Sequence, residues 1–300
     1  MNRPTVVIHG GAGRALSDGG REAAVREALG EIVERLWQRV CQGEEAMAIA
    51  QMGCVALEDC EHFNAGLGSA VQSDGQVRMS ASIMDGQRRS FSGVINVESV
   101  QNPVTMAVRL QRERDRVLDA GGAQRLAREM GLAHFDPIVE RRLAEWWKEK
   151  QRGMTKEQAD VSPADEDSNL GMGTVGVVVR DGKGQLAAST STGGRGFERP
   201  GRVSDSATVA GNYATDRAAV SCTGIGEDIN DEALAARVVV EVEGGRPLDE
   251  ALSRAIEGAR SRQRRLAAIA VDHQGQMGWA KTTELLLAVG RNAEETRWAF

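Results

Sequence analysis

The stretch Gly173-Thr-Val-Gly-Val-Val-Val179 decides how the rest of this chain is interpreted. It follows the polar segment 165–172, and its apolar residues predict a buried strand that opens at Thr174. If the Gly173–Thr174 bond is cut, Thr174 carries a hydroxyl and a free α-amine. That amine titrates near about pH 8 and can act as the base for the hydroxyl, so no separate His or Asp is needed. A β-branched residue that opens a buried strand explains the same pair, and the pair taken alone favours this simpler explanation.

The composition describes a chain with a real hydrophobic core and an acidic balance of charge. Hydrophobic residues make up 41% of the 300 residues, and the formal net charge is -6. An acidic chain with dispersed Lys and Arg argues against nucleic acid as its main partner. Since no apolar run approaches the roughly 20 residues that span a bilayer, no membrane association is predicted.

Nothing in the cysteines indicates a redox role, and nothing in the histidines indicates a metal site. The first residues do not resemble a secretory signal. No two of the four cysteines form a Cys-x-x-Cys pair, so reduced thiols are expected at Cys41, Cys54, Cys60 and Cys222. The four histidines lack the spacing of a metal site. The chain starts without an apolar segment and small-residue cleavage site, which predicts a cytoplasmic protein.

Short strands, glycine-rich loops and helices alternate in the first half of the chain. Residues 6–8 predict a strand that runs into a glycine turn, and residues 63–85 predict loops and strands. Hydrophobic spacing predicts helices over 21–41, 44–60, 104–130 and 138–150. The inner face of the second helix is predicted as Ala48, Met52, Val55 and Ala56.

After Thr174 the pattern becomes mainly β. A hairpin is predicted around the turn Asp181-Gly-Lys-Gly184, and a second one over 267–280. Two amphipathic helices are predicted within 231–265. Strands and helices in both halves, joined partly by hairpins, indicate an α+β layered fold. The polar stretch before Thr174 has almost no periodicity, and we interpret about 151–173 as a mobile tail or linker.

Six motifs occur in the order that one family shows. They are His9-Gly-Gly-Ala-Gly13, Phe63-Asn-Ala-Gly-Leu-Gly68, Thr174-Val-Gly-Val-Val178, Ser189-Thr-Ser-Thr-Gly-Gly194, Pro200-Gly-Arg-Val-Ser-Asp205 and Ser221-Cys-Thr-Gly-Ile-Gly-Glu227. Each motif alone is weak, but six in register are specific. With them the chain resembles the plant-type L-asparaginase/isoaspartyl peptidase family of Ntn hydrolases, over roughly residues 5–110 and 170–285.

The resemblance implies an architecture and a maturation step. It implies a single Ntn-hydrolase domain over 1–300, built as a four-layer αββα sandwich. It also implies self-cleavage into an α chain 1–173 and a β chain 174–300, and a dimer of αβ units. Glycine at 173 fits this, because it tolerates a strained backbone beside the scissile carbonyl. The implied substrate is a small molecule, a β-aspartyl (isoaspartyl) dipeptide or L-asparagine, and no cofactor is expected for catalysis.

The same resemblance assigns the reaction to three threonines and a glycine. Thr174 would attack the side-chain carbonyl of the substrate, and Thr192 would orient it by a hydrogen bond. Thr223 and Gly224 match an oxyanion hole, which needs donors aimed at the tetrahedral oxygen. Without the family, Thr192 fits equally well as a strand-end threonine, and Thr223-Gly224 as an ordinary turn.

Arg202, Asp205 and Gly226 match residues that hold the free amino acid end of the substrate. A guanidinium can hold the α-carboxylate bidentately, and a carboxylate can hold the α-ammonium together with the Gly226 carbonyl. We expect Asp205 to be ionised well below about pH 8, where the free α-amine titrates. A surface ion pair is the commoner fate of an Arg and an Asp so close in sequence.

One loop is implied to hold a monovalent cation, a structural sodium ion, on backbone carbonyls. The matching residues are Leu57, Glu58, Cys60, Phe63, Ala65 and Leu67. Oxygen ligands suit such a hard cation, and carbonyls leave the side chains free to vary. Asn64 in the same loop is expected to support the loop and the cleavage site.

Four places depart from the family pattern: Met172, Asn212, Ile225 and Lys281-Thr-Thr-Glu284. These departures bear on the specificity for the leaving group more than on the hydrolysis itself. The acidic run 227–232 is interpreted as a solvated helix N-terminus, with a preference for basic leaving residues as the alternative. The basic cluster 262–265 is interpreted as a solvated helix end.

Three other functions stay open. A glycosylasparaginase-like hydrolase usually has an aspartate directly before its threonine, where this chain has Gly173. A threonine-type endoprotease would cleave large proteins instead of small amides. An uncleaved, inactive family member would serve as a binding or structural subunit.

Overall fold

The computed structural model describes residues 3–13, 19–153 and 173–300. Met172 and nearly all of the tail interpreted over about 151–173 lie outside the described residues. The strands are β1 (Thr5–Gly13), β2 (Met79–Asp85), β3 (Ser90–Val97), β4 (Val117–Leu118), β5 (Val175–Arg180), β6 (Leu186–Thr192), β7 (Asn212–Ala214), β8 (Ala218–Gly224), β9 (Leu266–Asp272), β10 (Met277–Lys281), β11 (Leu285–Asn292) and β12 (Thr296–Ala299). The helices are α1 (Gly19–Cys41), α2 (Ala46–Glu58), α3 (Pro103–Leu110), α4 (Ala120–Glu129), α5 (Glu140–Gln151), α6 (Gly226–Glu232), α7 (Leu234–Glu243) and α8 (Leu248–Ser261).

These strands form two sheets. The larger is 8-stranded, in the order β12-β11-β1-β5-β6-β2-β3-β4, and the smaller is 4-stranded, in the order β10-β9-β8-β7. The hairpin β5–β6 lies at the centre of the larger sheet, and β8 lies inside the smaller one. Thr174 therefore directly precedes a strand that is flanked on both sides.

The hairpin between β5 and β6 turns at Asp181–Gly184 as predicted. The Gly184 N–H donates to the Asp181 carbonyl oxygen at 3.0 Å, and the Asp181 carboxylate accepts from the N–H groups of Lys183 and Gln185. Gly184 has a φ of 85°, a left-handed conformation that glycine adopts without a steric cost. The turn fixes the antiparallel register in which Val175 faces Ser191.

Helices cover the outer faces of both sheets, and the inner faces pack together. Helices α1 to α4 contact the larger sheet, α7 and α8 contact the smaller one, and β5 and β6 contact β8. Alternation along β1 shows the arrangement, because Val6 and Ile8 pack toward the helices while Val7 packs between the sheets. The structure is α+β, as the sequence predicts.

Helix α2 buries a different face from the one predicted. Ala48 is exposed, and Met52, Val55 and Ala56 are only partly buried. The buried apolar positions are Ala46, Ile49, Ala50, Gly53, Cys54 and Leu57. Because the helix is apolar on several sides, its periodicity did not single out one of them. Gly53 shows how close the packing is, since a Cβ there would lie 2.7 Å from Leu36 Cδ1 and 2.9 Å from Val177 Cγ2.

The helix predicted over 104–130 is two helices with a short strand between them. Helix α3 ends at Leu110, and β4 then pairs in parallel with β3. A new helix begins after Asp119, whose carboxylate accepts the Gly122 N–H at 2.9 Å. Such a cap satisfies one of the free N–H groups of the first turn, which explains why α4 starts there.

The acidic run and the basic cluster, both predicted as solvated, pair with each other. Glu232 is 6% exposed and accepts from Arg262 at 2.6 and 2.5 Å and from Arg237 at 2.8 Å. Asp228 accepts from the side chain of Arg264 at 2.9 Å. The solvated interpretation was wrong for Glu232, which is buried at the end of α6. Arg262, just after α8, is exposed as predicted and pairs with it, because the ends of these two helices meet in space.

Within the described ranges, no helix is long and apolar enough to cross a bilayer. The four cysteines all lie in those ranges and are free, as predicted.

Candidate active site

Thr174 and Thr192 meet at one end of the central hairpin. The Thr174 hydroxyl donates to Thr192 Oγ1 at 3.1 Å, and Thr192 Oγ1 accepts the Gly194 N–H at 3.2 Å. Thr192 is 2% exposed, whereas Thr174 is only partly buried. A buried, anchored threonine thus orients a hydroxyl that remains accessible.

Asn64 links Gly173 to the two glycines that follow β6. Its N–H donates to the Gly173 carbonyl oxygen at 3.0 Å, and its own carbonyl oxygen accepts the Gly193 N–H at 2.8 Å. Its side chain donates to the Gly194 carbonyl oxygen at 2.7 Å. Gly173 has a φ of 150°, and a Cβ at this position would overlap Asn64. The expected supporting role of Asn64 therefore has a geometric basis.

Thr223 and Gly224 end strand β8 in the other sheet. Thr223 is 0% exposed, and its hydroxyl has no hydrogen-bond partner among the described residues. Gly224 has a φ of 130°, and a Cβ there would lie 2.7 Å from the Arg265 carbonyl oxygen. A buried hydroxyl without a partner is costly, and a ligand oxygen would satisfy it.

Arg202 is held by a residue that the sequence did not single out for this role. Its Nε and Nη2 donate to the two carboxylate oxygens of Glu227 at 2.6 and 3.0 Å. The Arg202 side chain is 14% exposed, and that of Glu227 is 52% exposed. Burial acts to raise the pKa of Glu227, but the guanidinium holds that pKa below its usual range. The bidentate pair fixes the plane of Arg202.

Asp205 lies beside Arg202 and Gly226. A Cβ on Gly226 would be 2.5 Å from Arg202 Nη2 and 2.7 Å from Asp205 Oδ1, so only glycine leaves both groups room. Asp205 is 3% exposed, and its Oδ2 has no partner among the described residues. Burial raises the pKa of Asp205 to about 6 against the opposing effect of Arg202. This value lies above the usual range of an aspartate, because burial outweighs the nearby cation, and it still lies below pH 8, as expected.

The loop predicted to hold a cation brings carbonyl oxygens together. The Glu58 carbonyl oxygen accepts the Leu67 N–H at 2.7 Å, and the Cys60 carbonyl oxygen accepts the Phe63 N–H at 3.2 Å. A Cβ on Gly68 would lie 2.5 Å from the Glu61 carbonyl oxygen and 3.0 Å from that of Phe63. Two of the predicted ligands, the Glu58 and Cys60 oxygens, thus accept N–H groups of the same loop. Backbone carbonyls are the type of oxygen ligand that a hard cation prefers. The described residues contain no His/Cys/Asp/Glu cluster suited to a metal ion.

Glu58 is a further site neighbour whose side chain sequence reasoning missed. It is 0% exposed, and its Oε1 accepts the Ser191 hydroxyl at 2.6 Å and the Val104 N–H at 3.1 Å. Burial raises the pKa of Glu58 to about 8, so the carboxyl is largely protonated at neutral pH. A glutamate at the end of a mainly apolar helix was the available signal.

The comparisons with known proteins show the family. A family model described as Asparaginase matches residues 2–299, and the chain belongs to this family. This confirms the resemblance drawn from the six motifs.

Named relatives cover nearly the whole chain. An isoaspartyl peptidase/L-asparaginase of Nostoc sp. is 48% identical over 296 residues, which are 98% of this chain and 93% of the relative. The protein of the same name from Synechocystis sp. is 50% identical over 289 residues, or 95% and 87% of the two chains. An isoaspartyl peptidase of Salmonella typhimurium is 38% identical over 287 residues, or 92% and 91%.

Proposed function

We propose that this chain is a threonine amidohydrolase that cleaves itself between Gly173 and Thr174 and then hydrolyses β-aspartyl dipeptides and L-asparagine. One observation carries the proposal: the hydroxyl directly after the scissile bond donates to Thr192 at 3.1 Å. The names of the relatives, isoaspartyl peptidase and L-asparaginase, support the substrate class.

Self-cleavage uses the same hydroxyl. Thr174 Oγ1 attacks the Gly173 carbonyl carbon, and the C–N bond breaks as the threonine nitrogen gains a proton. The resulting ester on Oγ1 is hydrolysed by water, which leaves a Gly173 carboxylate and a free Thr174 amine. The Asn64 N–H, 3.0 Å from the Gly173 carbonyl oxygen, is placed to stabilise the oxyanion that forms there.

Substrate hydrolysis follows the same pattern with the free amine as the base. The Thr174 amine takes the hydroxyl proton, Oγ1 attacks the side-chain carbonyl, and the proton passes to the leaving nitrogen. Thr223 donates its hydroxyl, and Gly224 its N–H, to the tetrahedral oxygen. Water then hydrolyses the β-aspartyl ester and regenerates Thr174.

Arg202 and Asp205 hold the free amino acid end of the substrate. Arg202 binds the α-carboxylate in the plane that Glu227 fixes, and Asp205 receives the α-ammonium on its unpartnered Oδ2. Gly226 adds its carbonyl oxygen beside them. Because both groups recognise charges on the α-carbon, uncharged amides should bind poorly.

The remaining features are part of the same proposal. The carbonyls of Leu57, Glu58, Cys60, Phe63, Ala65 and Leu67 would hold a sodium ion, which would supply charge to stiffen the loop around Asn64. The two packed sheets with helices outside them support a four-layer αββα sandwich of the Ntn type over 1–300. The mature form would be a dimer of αβ units. Four free cysteines fit the cytoplasm, a reducing compartment.

A purified wild-type chain tests the proposal. After incubation, the smaller fragment should begin Thr174-Val-Gly, and the mature protein should turn over β-aspartyl dipeptides and asparagine, while Thr174→Ala should stay whole and inactive. Preferred release of a glycan-linked amine would indicate a glycosylasparaginase, and cleavage of intact proteins an endoprotease. A persistent 32.2 kDa band without turnover would indicate an uncleaved, inactive family member and refute the proposal.

A further inference from the structure

A line of polar side chains crosses the apolar space between the two sheets. His9 on β1 places Nε2 2.9 Å from Ser221 Oγ on β8, and Ser221 Oγ lies 2.7 Å from Thr190 Oγ1 on β6. Thr190 Oγ1 also lies 3.4 Å from the Gly211 carbonyl oxygen, to which it donates. All three side chains are 0% exposed. We call His9, Ser221 and Thr190 the inter-sheet bridge.

Gly176 on β5 makes room for this bridge. A Cβ at position 176 would overlap both Ser221 Oγ and His9 Nε2. The lack of a side chain at position 176 therefore leaves space for polar atoms from two other strands.

Two residues of the bridge and the neighbouring Gly176 each lie two residues along the chain from one of the three threonines of the site. Thr190 comes two residues before Thr192, Ser221 comes two residues before Thr223, and Gly176 comes two residues after Thr174. Side chains two apart on a strand point to the same face, about 6.5 Å from each other. The bridge thus joins β6 and β8 one same-face position away from Thr192 and Thr223. Its link to Thr174 is indirect, because His9 pairs with Gly176 in the β1–β5 ladder.

Directional bonds are needed at this place because the sheets form separate hydrogen-bonded ladders. Apolar residues such as Val7, Val178 and Ile269 supply most of the other contacts between them. A second polar link lies at β7, where the Asn212 side chain donates to Ser82 Oγ at 3.0 Å and to the Ala188 carbonyl oxygen at 3.3 Å. Apolar packing is not directional. A hydrogen bond restricts the donor–acceptor distance to within a few tenths of an ångström and also restricts the angle at the hydrogen. Thr174 and Thr223 stand on different sheets, so their separation depends on such a link.

We propose that His9, Ser221 and Thr190 are positioning residues that hold the Thr174 nucleophile and the Thr223 oxyanion donor at their working separation. The proposal rests on the proposed function, because it concerns the hydrolysis of a substrate at that site. His9 acts through its geometry alone. Burial lowers the pKa of His9 to about 3, so its ring stays neutral at working pH and does not serve as a proton carrier.

Self-cleavage offers an internal comparison. In that step the carbonyl oxygen of Gly173 is held by the Asn64 N–H, on the same side of the molecule as the nucleophile strand. Thr223 is not needed there. Loosening the bridge should therefore slow substrate turnover and spare maturation.

The test uses Ser221→Ala and Thr190→Val, with Ser189→Ala as the matched control. Ser189 is 0% exposed like the bridge residues, but it points to the opposite face of β6 and donates to the Ala50 carbonyl oxygen at 2.9 Å. In mature protein, each bridge variant should lower kcat about 10- to 100-fold, the size of effect that a misplacement near 1 Å produces. KM should change less than about threefold, because Arg202 and Asp205 lie outside the bridge.

The double variant Ser221→Ala/Thr190→Val should be no slower than the slower single variant, since one broken link already frees the strands. The positioning role would be contradicted by a wild-type kcat in a fully matured Ser221→Ala protein. An equal loss of kcat in Ser189→Ala would contradict it as well. A lower melting temperature without a lower kcat would show a structural role and overturn it too. A wild-type protein that matures but hydrolyses no β-aspartyl substrate would refute the proposed function, and the bridge with it.

Discussion

At the scale of single residues, the site places the mostly buried guanidinium of Arg202 near the buried carboxyl group of Asp205. Arg202 is already paired with Glu227, so an incoming α-carboxylate meets a guanidinium of fixed orientation with one nitrogen, Nη1, outside that pair. Asp205 is buried and lacks a partner for one oxygen. Such an arrangement is unfavourable when empty and is relieved by a zwitterion, which makes recognition depend on both charges.

Replacing Arg202 by Ala should raise KM strongly for substrates with a free α-carboxylate. Loss of a charge-assisted contact corresponds to about 1.5–3 kcal/mol, or roughly 10- to 100-fold in KM. Self-cleavage should proceed, since it involves no substrate carboxylate. Glu227→Gln, which keeps Arg202 but weakens its anchor, should give a smaller rise in KM. Unchanged steady-state kinetics in a matured Arg202→Ala protein would contradict the assignment.

The raised pKa of Asp205 should be visible in the pH profile. The free Thr174 amine must lose its proton for catalysis, so log kcat/KM should rise with a slope of about one below about pH 8. Below about pH 6, Asp205 takes up a proton and no longer attracts the substrate ammonium, so the slope should steepen to about two.

Asp205→Asn removes the second titrating group. It should bind substrate weakly at every pH and keep a slope of about one across the acid limb. A wild-type profile with a single slope down to about pH 4 would show that Asp205 is not the second group.

At the scale of elements, the β5–β6 hairpin and the loop around Asn64 together enclose the proposed cleavage site. The hairpin sets Thr174 opposite Thr192, and the Asn64 loop clamps Gly173 from the other side. The φ of 150° at Gly173 is reached because no Cβ stands between the two elements. A side chain at this position should separate them.

Gly173→Ala should therefore slow or abolish self-cleavage. Its Cβ would overlap Asn64 and force the scissile carbonyl away from the Asn64 N–H. Gly182→Ala, in the turn of the same hairpin, is the matched control, because a Cβ there meets nothing within 4 Å. Disappearance of the full-length band on a denaturing gel over time measures both. Equal cleavage rates would show that the junction tolerates a Cβ.

At the scale of the whole molecule, two sheets enclose a mainly apolar interior that contains one deeply buried imidazole. Burial of His9 lowers its pKa to about 3, with a smaller opposing effect from the Thr174 main chain. In the unfolded chain the same ring titrates near about 6.5. Unfolding below that pH takes up a proton that the folded state excludes.

The sign of this effect predicts lower stability in acid. The contribution of His9 is fully present above about pH 6.5 and is lost as the pH falls toward 3, by about 2 kcal/mol at pH 5. His9→Gln should have a lower free energy of unfolding at pH 7, but a shallower fall between pH 7 and 5. His134→Gln, at an exposed position, should keep the wild-type slope. Urea unfolding of the three proteins at pH 7 and at pH 5 measures the fall in the free energy of unfolding. An equal fall in all three would contradict the predicted burial of His9.

The sequence by itself determined the features that are local or that several motifs repeat. The hairpin turn at Asp181–Gly184 and the paired helices before residue 265 follow from spacing and turn chemistry. The six motifs identified the family, because matching all six in order is far more specific than matching any one. These patterns depend on neighbours within a few residues, where the backbone geometry is fixed.

Only the tertiary structure decided which distant groups meet. It showed the buried face of α2, which was ambiguous because that helix is apolar on several sides. It paired Glu232 with Arg262, gave Arg202 its Glu227 anchor, and placed His9 against Ser221 across the sheets. It also raised the pKa of Asp205, since burial is a property of the folded surroundings. Contacts and desolvation of this kind depend on packing between elements, and no spacing along the chain encodes them.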